Sequence, residues 1–308
     1  MYHHYTRNLV KILVTGRGYI GSSFGKCLST CYETIVISRH EVDYTKRDIL
    51  KRYIKKNDIG LVINTCGYTG RPNVDACEND KSNTWHYNVR VPVNMQKVCK
   101  DLVIPMIHIS SGCIYTGYDK EFTEDDEPNF GMFTDDSSWY SKTKHACEMM
   151  LQDCPVYTFR IRMPFCDTWS DRNVLTKLLK YDNIIDQKNS MTNVQDLCGY
   201  ILYFLSDLID SSLIHPYGIY NVVNPNPVNT SDIVKMLIDH GLENPNWNTI
   251  TLDQLYENTT AKRSNCVLSD NKIENINLKL PDTLVSLERS IIKMRGTTVD
   301  NKDQRLTG

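Results

Sequence analysis

A chain of 308 residues with 41% hydrophobic content is long enough to bury a large core, as one α/β unit or as two lobes. Thirty-five basic residues face 37 acidic ones for a formal net charge of −2, and no long run of either sign points to nucleic acid or a membrane surface. No stretch approaches the roughly 18 uninterrupted apolar residues of a spanning helix, and eleven cysteines without CxxC pairing suit reduced thiols in a soluble, cytoplasmic protein better than a disulfide framework.

The opening segment, MYHHYTRNLVKILVTG, passes from a polar arm carrying His3 and His4 straight into a strand over 11–15, with no secretory-leader core. Gly16-Arg17-Gly18-Tyr19-Ile20-Gly21 follows and opens a helix expected over 19–30. Glycines here permit a tight turn and close backbone approach, so that the helix N-terminus at Gly18, Tyr19 and Ile20 can face a pyrophosphate. GxGxxG alone is weak evidence; its place between a strand and a helix is what separates it from an ordinary glycine-rich turn. The second strand, 34–38, ends Ile37-Ser38-Arg39-His40. An acidic residue at such a strand end usually holds the ribose diol of NAD, whereas arginine accommodates a 2′-phosphate. Arg39 leans the expectation toward NADPH; Asp43 keeps NADH open, and Arg39 also reads as a plain surface charge. A helix over 46–56 and a strand over 60–64 then deliver Asn64-Thr65-Cys66-Gly67 to the adenosine side of the same crevice.

A long helix over 80–101, a strand over 104–110, a helix over 139–152 and a strand over 156–161 complete an alternation that argues for βαβ units around a parallel sheet. KILVT, TIVIS and LVIN lack strict alternation, as expected when both sheet faces are covered. Cys27, Cys31, Cys99, Cys147, Cys154 and Cys198 sit among apolar residues and read as core filling. After about residue 165 the pattern loosens: helices are expected over 171–181, 193–208, 229–240 and 282–294, and short strands near 184–186 and 218–223. The fold class is α/β, a Rossmann-type doubly wound parallel sheet with a smaller C-terminal α/β lobe. The expected domains are 10–165, to which segments near 184–223 return, and an interleaved 166–294, followed by a disordered polar tail over 295–308.

The chemistry concentrates at Ile109–Gly117, ISSGCIYTG, and at Tyr140-Ser141-Lys142-Thr143-Lys144. Ser111 and Cys113 end a strand, and Tyr140 and Lys144, four apart, share a helix face. A phenol beside an ammonium is expected to have its pKa lowered, which suits it to donate a proton to a carbonyl oxygen as hydride reaches the carbon. With eighteen tyrosines a chance Tyr-x-x-x-Lys match is unremarkable; its position after the fourth strand gives it weight. Cys113 reads either as a small buried residue or as a group for proton chemistry beside that carbonyl.

These motifs resemble the extended short-chain dehydrogenase/reductase superfamily. Gly70–Asp75 (GRPNVD), Gly112-Cys113-Ile114, Arg160–Pro164 (RIRMP), Arg172-Asn173 and Asn189–Thr192 (NSMT) resemble, within it, the bifunctional nucleotide-rhamnose synthase/epimerase-reductase family over about 10–294. The resemblance implies conversion of UDP-4-keto-6-deoxyglucose to UDP-β-L-rhamnose, with Ser111, Tyr140 and Lys144 as the reductase set and Cys113 and Lys177 as the epimerase acid/base pair. By spacing alone Lys177 reads as a solvated helix lysine. The resemblance further implies Arg162 and Pro164 beside the cofactor, and Arg71, Asn73, Asn173, Asn189, Ser190 and Arg263 around the sugar nucleotide. Arg71 and Arg263 read otherwise as surface charges.

Three departures stand out. The phosphate turn is one residue tighter than the family's GxxGxxG, Thr65 and Cys66 replace two small alanines, and the loop between Cys113 and Tyr140 is shorter than in plant members. Two alternatives stay open under the same resemblance. One is a 4-keto-rhamnose reductase acting on UDP- or dTDP-linked sugar without epimerisation; the other is a non-catalytic NADP-binding regulatory subunit of a methionine adenosyltransferase. A homodimer is an expectation of the superfamily, which often pairs through the helices flanking the tyrosine.

Overall fold

β1 (Lys11–Thr15) is the strand from which the rest of the sheet is laid out, because it buries both of its faces. Ile12 and Val14 pack with Phe24 and Leu28 of α1 (Tyr19–Leu28), while Leu13 packs on the opposite side. β2 (Thr34–Ile37) pairs parallel on one side of β1. The chain then crosses through α2 (Arg47–Lys56), and β3 (Ile59–Asn64) pairs parallel on the other side. This reversal leaves a crevice at the carboxyl ends of β1 and β3, where doubly wound sheets take their ligands. The computed structural model describes residues 10–210, 215–274, 276 and 278–306; the arm with His3 and His4 lies outside them.

The helix expected over 80–101 is built in pieces. α3 (Asp75–Asn79) and α4 (Lys81–Trp85) lead into a π-helical turn at His86–Arg90 and then α5 (Val91–Leu102). β4 (Met106–Ser111) follows, then β5 (Gly117–Phe122), α6 (Trp139–Leu151) and β6 (Tyr157–Ile161). Ser138 caps α6, its Oγ accepting from Ser141 N at 3.1 Å.

Beyond β6 the chain alternates between lobes. β7 (Pro164–Phe165), α7 (Val174–Lys180), β8 (Asn183–Ile185) and β9 (Asn189–Asn193) precede α8 (Val194–Asp210). β10 (Gly218–Asn221) returns to the large sheet beside β6, so the six strands run β10-β6-β4-β3-β1-β2, all parallel. α8 packs on α1 and closes one face of that sheet; α2, α5 and α6 close the other. β11 (Asn224–Val228), α9 (Thr230–Asp239), β12 (Asn248–Ile250), α10 (Leu252–Tyr256), β13 (Cys266–Leu268), α11 (Asn271–Glu274) and α12 (Thr283–Leu306) complete the smaller lobe. Its core gathers Phe165, Leu175, Met191, Ile233, Leu287 and Ile291.

α12 continues through Leu306, past the point where a polar tail is expected, and no proline interrupts 295–306. Cys99, Cys147 and Cys198 are buried as expected; Cys27 and Cys154 are half-buried and Cys31 is exposed, because it follows α1 at the sheet rim. Among the described residues no helix is long and apolar enough to cross a membrane.

Candidate active site

The cofactor turn is shaped by backbone proximity. Gly16 has φ +100°, and a Cβ there would lie 2.9 Å from Cys66 N. A Cβ on Gly21 would lie 1.9 Å from Gly16 O, so glycine is required where the helix meets the turn. Gly18 begins α1 with no side-chain cap, which leaves the first amides of the helix directed outward. The turn is pinned to the neighbouring strand end, Thr65 Oγ1 donating to Thr15 O at 2.9 Å and Gly16 O at 3.0 Å. This cradle fits a pyrophosphate in the crevice between β1 and β3. Arg39 is exposed at the end of β2, its guanidinium 4.8 Å from the centre of the Tyr87 ring.

Asn64 is fully buried and does not line the crevice. Its Oδ1 accepts from Thr15 Oγ1 (3.0 Å) and Cys66 N (3.1 Å), and its Nδ2 lies 3.0 Å from His108 Nδ1. The side chain therefore sets the course of Cys66-Gly67. Burial pushes the Cys66 thiol up to about 12, which removes thiolate chemistry from that position.

At the end of β4, Ser111 Oγ and Cys113 Sγ stand 2.8 Å apart, and both side chains are close enough to the Tyr140 phenol to shift its pKa. Lys144 is 5% exposed; its Nζ donates to Ile109 O at 3.5 Å and lies 6.0 Å from the centre of the Tyr140 ring. The expected lowering of the phenol is reversed. Burial pushes Tyr140 well above its ordinary value, Cys113 adds to the rise, and Ser111 only partly offsets them. Desolvation wins over an ammonium held one helical turn away. The phenol is thus a protonated donor, matched to an oxygen that gains charge. Burial likewise pushes the Cys113 thiol up, against Ser111, Arg162, Lys144 and Ser141.

Asn88 joins the site without any signal in the sequence. From the π-helical turn its Oδ1 accepts from Tyr68 N (2.6 Å) while Nδ2 donates to Tyr68 O (2.9 Å) and Thr143 Oγ1 (3.1 Å). Thr143 Oγ1 in turn donates to Tyr140 O at 2.8 Å, so Asn88 ties the strand-end loop after β3 to the helix carrying the tyrosine. π-turns of this kind recur at functional sites.

The smaller lobe contributes less directly than expected. Asn173 is fully buried and caps α7: Oδ1 accepts from Leu175 N (3.2 Å) while Nδ2 donates to Cys166 O (2.8 Å) and Thr168 O (2.9 Å). Asn189 and Ser190 are also buried. Asn189 Oδ1 accepts from Arg162 Nη2 (2.5 Å) and Cys266 N (3.1 Å), and Ser190 Oγ accepts from Leu268 N (2.9 Å). All three are committed to the fold, because buried polar groups must be paired within it. Arg162 points its Nη2 to Asn189 and to Ser264 O (2.6 Å), partners in the smaller lobe and away from the cofactor turn. Pro164 is half-buried at the start of β7.

Around GRPNVD the structure places a cluster of cations. Arg263 grips Asp75 through both guanidinium ends (3.0 and 2.9 Å). Arg172 donates to Thr69 Oγ1 (2.9 Å) and Gly70 O (2.8 Å), and Asn73 Oδ1 accepts from Asp75 N (2.8 Å). Arg71 is exposed. Lys177 is half-buried on α7; burial, then Arg172 and Arg263, push its ammonium down. It is no solvated helix lysine.

The chain is 31% identical over 294 residues to an Arabidopsis thaliana trifunctional UDP-glucose 4,6-dehydratase/UDP-4-keto-6-deoxy-D-glucose 3,5-epimerase/UDP-4-keto-L-rhamnose-reductase, covering 92% of this chain and 41% of that protein. It thus spans about two fifths of the length of that relative. A bifunctional dTDP-4-dehydrorhamnose 3,5-epimerase/dTDP-4-dehydrorhamnose reductase of the same plant is 34% identical over 242 residues, covering 75% of each chain. Among solved structures, the L780 UDP-rhamnose synthase of Acanthamoeba polyphaga mimivirus superposes with a TM-score of 0.81 at 25% identity, over 92% of this chain and 99% of that one. The profile of the RmlD substrate binding domain matches residues 10–295, and the chain belongs to that family.

Proposed function

We propose that this protein reduces the C4 ketone of a nucleotide-linked 4-keto-6-deoxyhexose with NADPH, and that the same pocket first inverts C3 and C5, yielding UDP-β-L-rhamnose. The relatives support the reductase half by name, as a UDP-4-keto-L-rhamnose-reductase and a dTDP-4-dehydrorhamnose reductase, and the names of both plant proteins include the epimerase half. The observation that carries the reading is the convergence of Ser111, Cys113 and the Tyr140 phenol, with Ser111 Oγ 2.8 Å from Cys113 Sγ.

NADPH bound along the β1–β3 crevice would supply the hydride, and Arg39 would meet its 2′-phosphate. The chain's own residues do the rest. Ser111 and Tyr140 hydrogen-bond the C4 oxygen, and Tyr140 gives up its proton as that oxygen becomes an alcohol. Lys144 holds the ribose and faces the phenol from within the helix. A C4 ketone acidifies the hydrogens on C3 and C5. Cys113 on one face and Lys177, whose depressed ammonium releases a proton readily, on the other can exchange those hydrogens through an enediolate. The donors at the C4 oxygen stabilise that enediolate as they stabilise the alkoxide. Arg71 is the cation near GRPNVD best exposed to receive a diphosphate.

Purified protein with UDP-4-keto-6-deoxyglucose and NADPH, and no added epimerase, should give rhamnose by NMR. Cys113→Ala should abolish solvent deuterium exchange at C3 and C5 yet still reduce a sugar already epimerised. Tyr140→Phe should lower reduction by about 100-fold or more. Normal deuterium exchange in Cys113→Ala would refute the dual assignment. One observation favours a second reading, reduction alone: burial pushes the Cys113 thiol up, away from the thiolate that a base requires. Unchanged stereochemistry at C3 and C5 in the same NMR experiment would establish it.

A further inference from the structure

Arg162 stands one residue beyond β6, where Ile161 pairs with Ser111 and Gly112 N donates to Ile161 O at 3.0 Å. Arg162 and Cys113 are therefore neighbours across the open ends of β4 and β6. The arginine is 5% exposed, and its Nη2 is fixed by two neutral acceptors, Asn189 Oδ1 and Ser264 O. Among the described residues it has no ion pair, and its buried Nε has no hydrogen-bond partner. A buried guanidinium without an anion is costly, so a site that keeps one has an anion in prospect.

The groups that face Cys113 can be taken element by element. β4 presents Ser111, α6 presents Tyr140, Ser141 and Lys144, the residue after β6 is Arg162, and β13 presents Cys266. No carboxylate is among them. Of the two cations, Lys144 extends back to Ile109 O and toward Gly67, on the cofactor side. Arg162 is anchored to the smaller lobe through Asn189 and Ser264.

We propose that Arg162 is the counter-cation of Cys113, a positioning residue that stabilises the thiolate of this sulfur and thereby makes it a base. This rests on the reading of Cys113 as a proton-transfer group. The thiolate takes the proton from C3 or C5, the C–H electron pair passes to the C4 oxygen, and as the enediolate collapses Lys177 delivers a different proton to the same carbon from the opposite face, the lysine regaining its proton from solvent. The new S–H exchanges with solvent, so no oxidant or reductant is consumed. An opposite charge near a titrating group shifts it by about one to three pH units, and Arg162 draws this thiol down against the burial that pushes it up.

The test is the pH dependence of Cys113 alkylation by iodoacetamide, a neutral reagent, read by mass spectrometry of the Cys113 peptide. Arg162→Met should move the midpoint up by about one unit or more, and Arg162→Lys should restore much of it. Asn189→Asp, which keeps the arginine and its packing but sets a carboxylate against Nη2, should move it up as well and covers the case in which Arg162→Met fails to fold. Unchanged midpoints in Arg162→Met or Asn189→Asp, in protein with a native circular dichroism spectrum, overturn the proposal. Deuterium exchange into the ketosugar by the unsubstituted protein is measured in parallel. A shifted midpoint with no exchange leaves the arginine–thiolate pair standing and removes the epimerase reading; normal exchange with an unshifted midpoint does the reverse.

Discussion

Glu148→Ala is expected to destabilise the protein by about 3–5 kcal/mol, the cost of leaving one member of a buried ion pair alone. Both partners, Glu148 on α6 and Arg160 on β6, have side chains only 3% exposed. Glu148 Oε2 accepts from Arg160 Nε at 3.0 Å and Nη2 at 2.8 Å, while Oε1 accepts from Ser110 Oγ at 2.5 Å. Without the carboxylate, Arg160 keeps only the Tyr115 hydroxyl, 3.0 Å from Nη1, and Ser110 loses its acceptor. A loss of that size is a large part of the about 5–15 kcal/mol that stabilises a domain. The pair also braces the helix bearing Tyr140 and Lys144 against the strand bearing Ser111, so reduction should slow in the same variant. The assay is urea unfolding of the single variant and of Glu148→Leu with Arg160→Met, which removes both charges. The double variant should be the more stable of the two, since apolar replacement of a whole buried pair is often neutral. A single variant that loses less than about 1 kcal/mol, or a double variant less stable than the single, would refute the reasoning.

Gly21→Ala places a methyl 1.9 Å from Gly16 O and must displace the phosphate turn; NADPH binding followed by fluorescence should weaken at least about tenfold, in line with the 1–3 kcal/mol of overpacking, and unchanged binding would remove the turn from the cofactor site. His108 is buried, and burial, with Lys144 beside it, holds its pKa well below the ordinary value. The unfolded chain takes up a proton near pH 6.5 that the native one does not. Stability should therefore fall as pH drops below about 6.5, by up to about 1.4 kcal/mol per pH unit from this group. His108→Gln should flatten that slope in urea titrations between about pH 6.5 and 5.5, and equal slopes would contradict it. Asn88→Ala should slow reduction more than it weakens NADPH binding, because Asn88 acts on the helix of Tyr140 through Thr143; an equal loss in both would assign it to the cofactor instead.

The nucleotide-binding half was legible because its strands are short apolar runs with both faces covered, and each is bounded by turn residues. β1 falls on its expected residues, and the other large-sheet strands within a residue or two. The helix expected over 80–101 was less legible, because one extra residue in a turn changes the backbone bonding without altering the apolar pattern. That is also why Asn88 carried no signal: its role comes from Tyr68 and Thr143, twenty and fifty-five residues away. β12 and β13, three residues each, are too short to stand out from loops, and β5, GYDKEF, is too polar. Ser111, Cys113 and Tyr140 were legible as types at strand and helix ends, but the direction of the phenol's shift was not. A sequence displays a charge partner; it does not display how completely water is excluded. Asn173, Asn189 and Ser190 mark the converse case, distinctive residues whose side chains hold loops and strands in place.

β4 ends in two consecutive serines with separate duties. Ser110 faces Glu148 beside its lateral neighbour Arg160, while Ser111 meets Cys113. Successive side chains on a strand leave by opposite faces, so sliding β4 by a single position would swap the two hydroxyls. The hydroxyl that meets Glu148 would then face Cys113, and the one beside Cys113 would face the interior. Single-codon insertions or deletions within this strand should thus be far more damaging than substitutions at most of its positions, and an odd change in its length should be tolerated only with a compensating bulge.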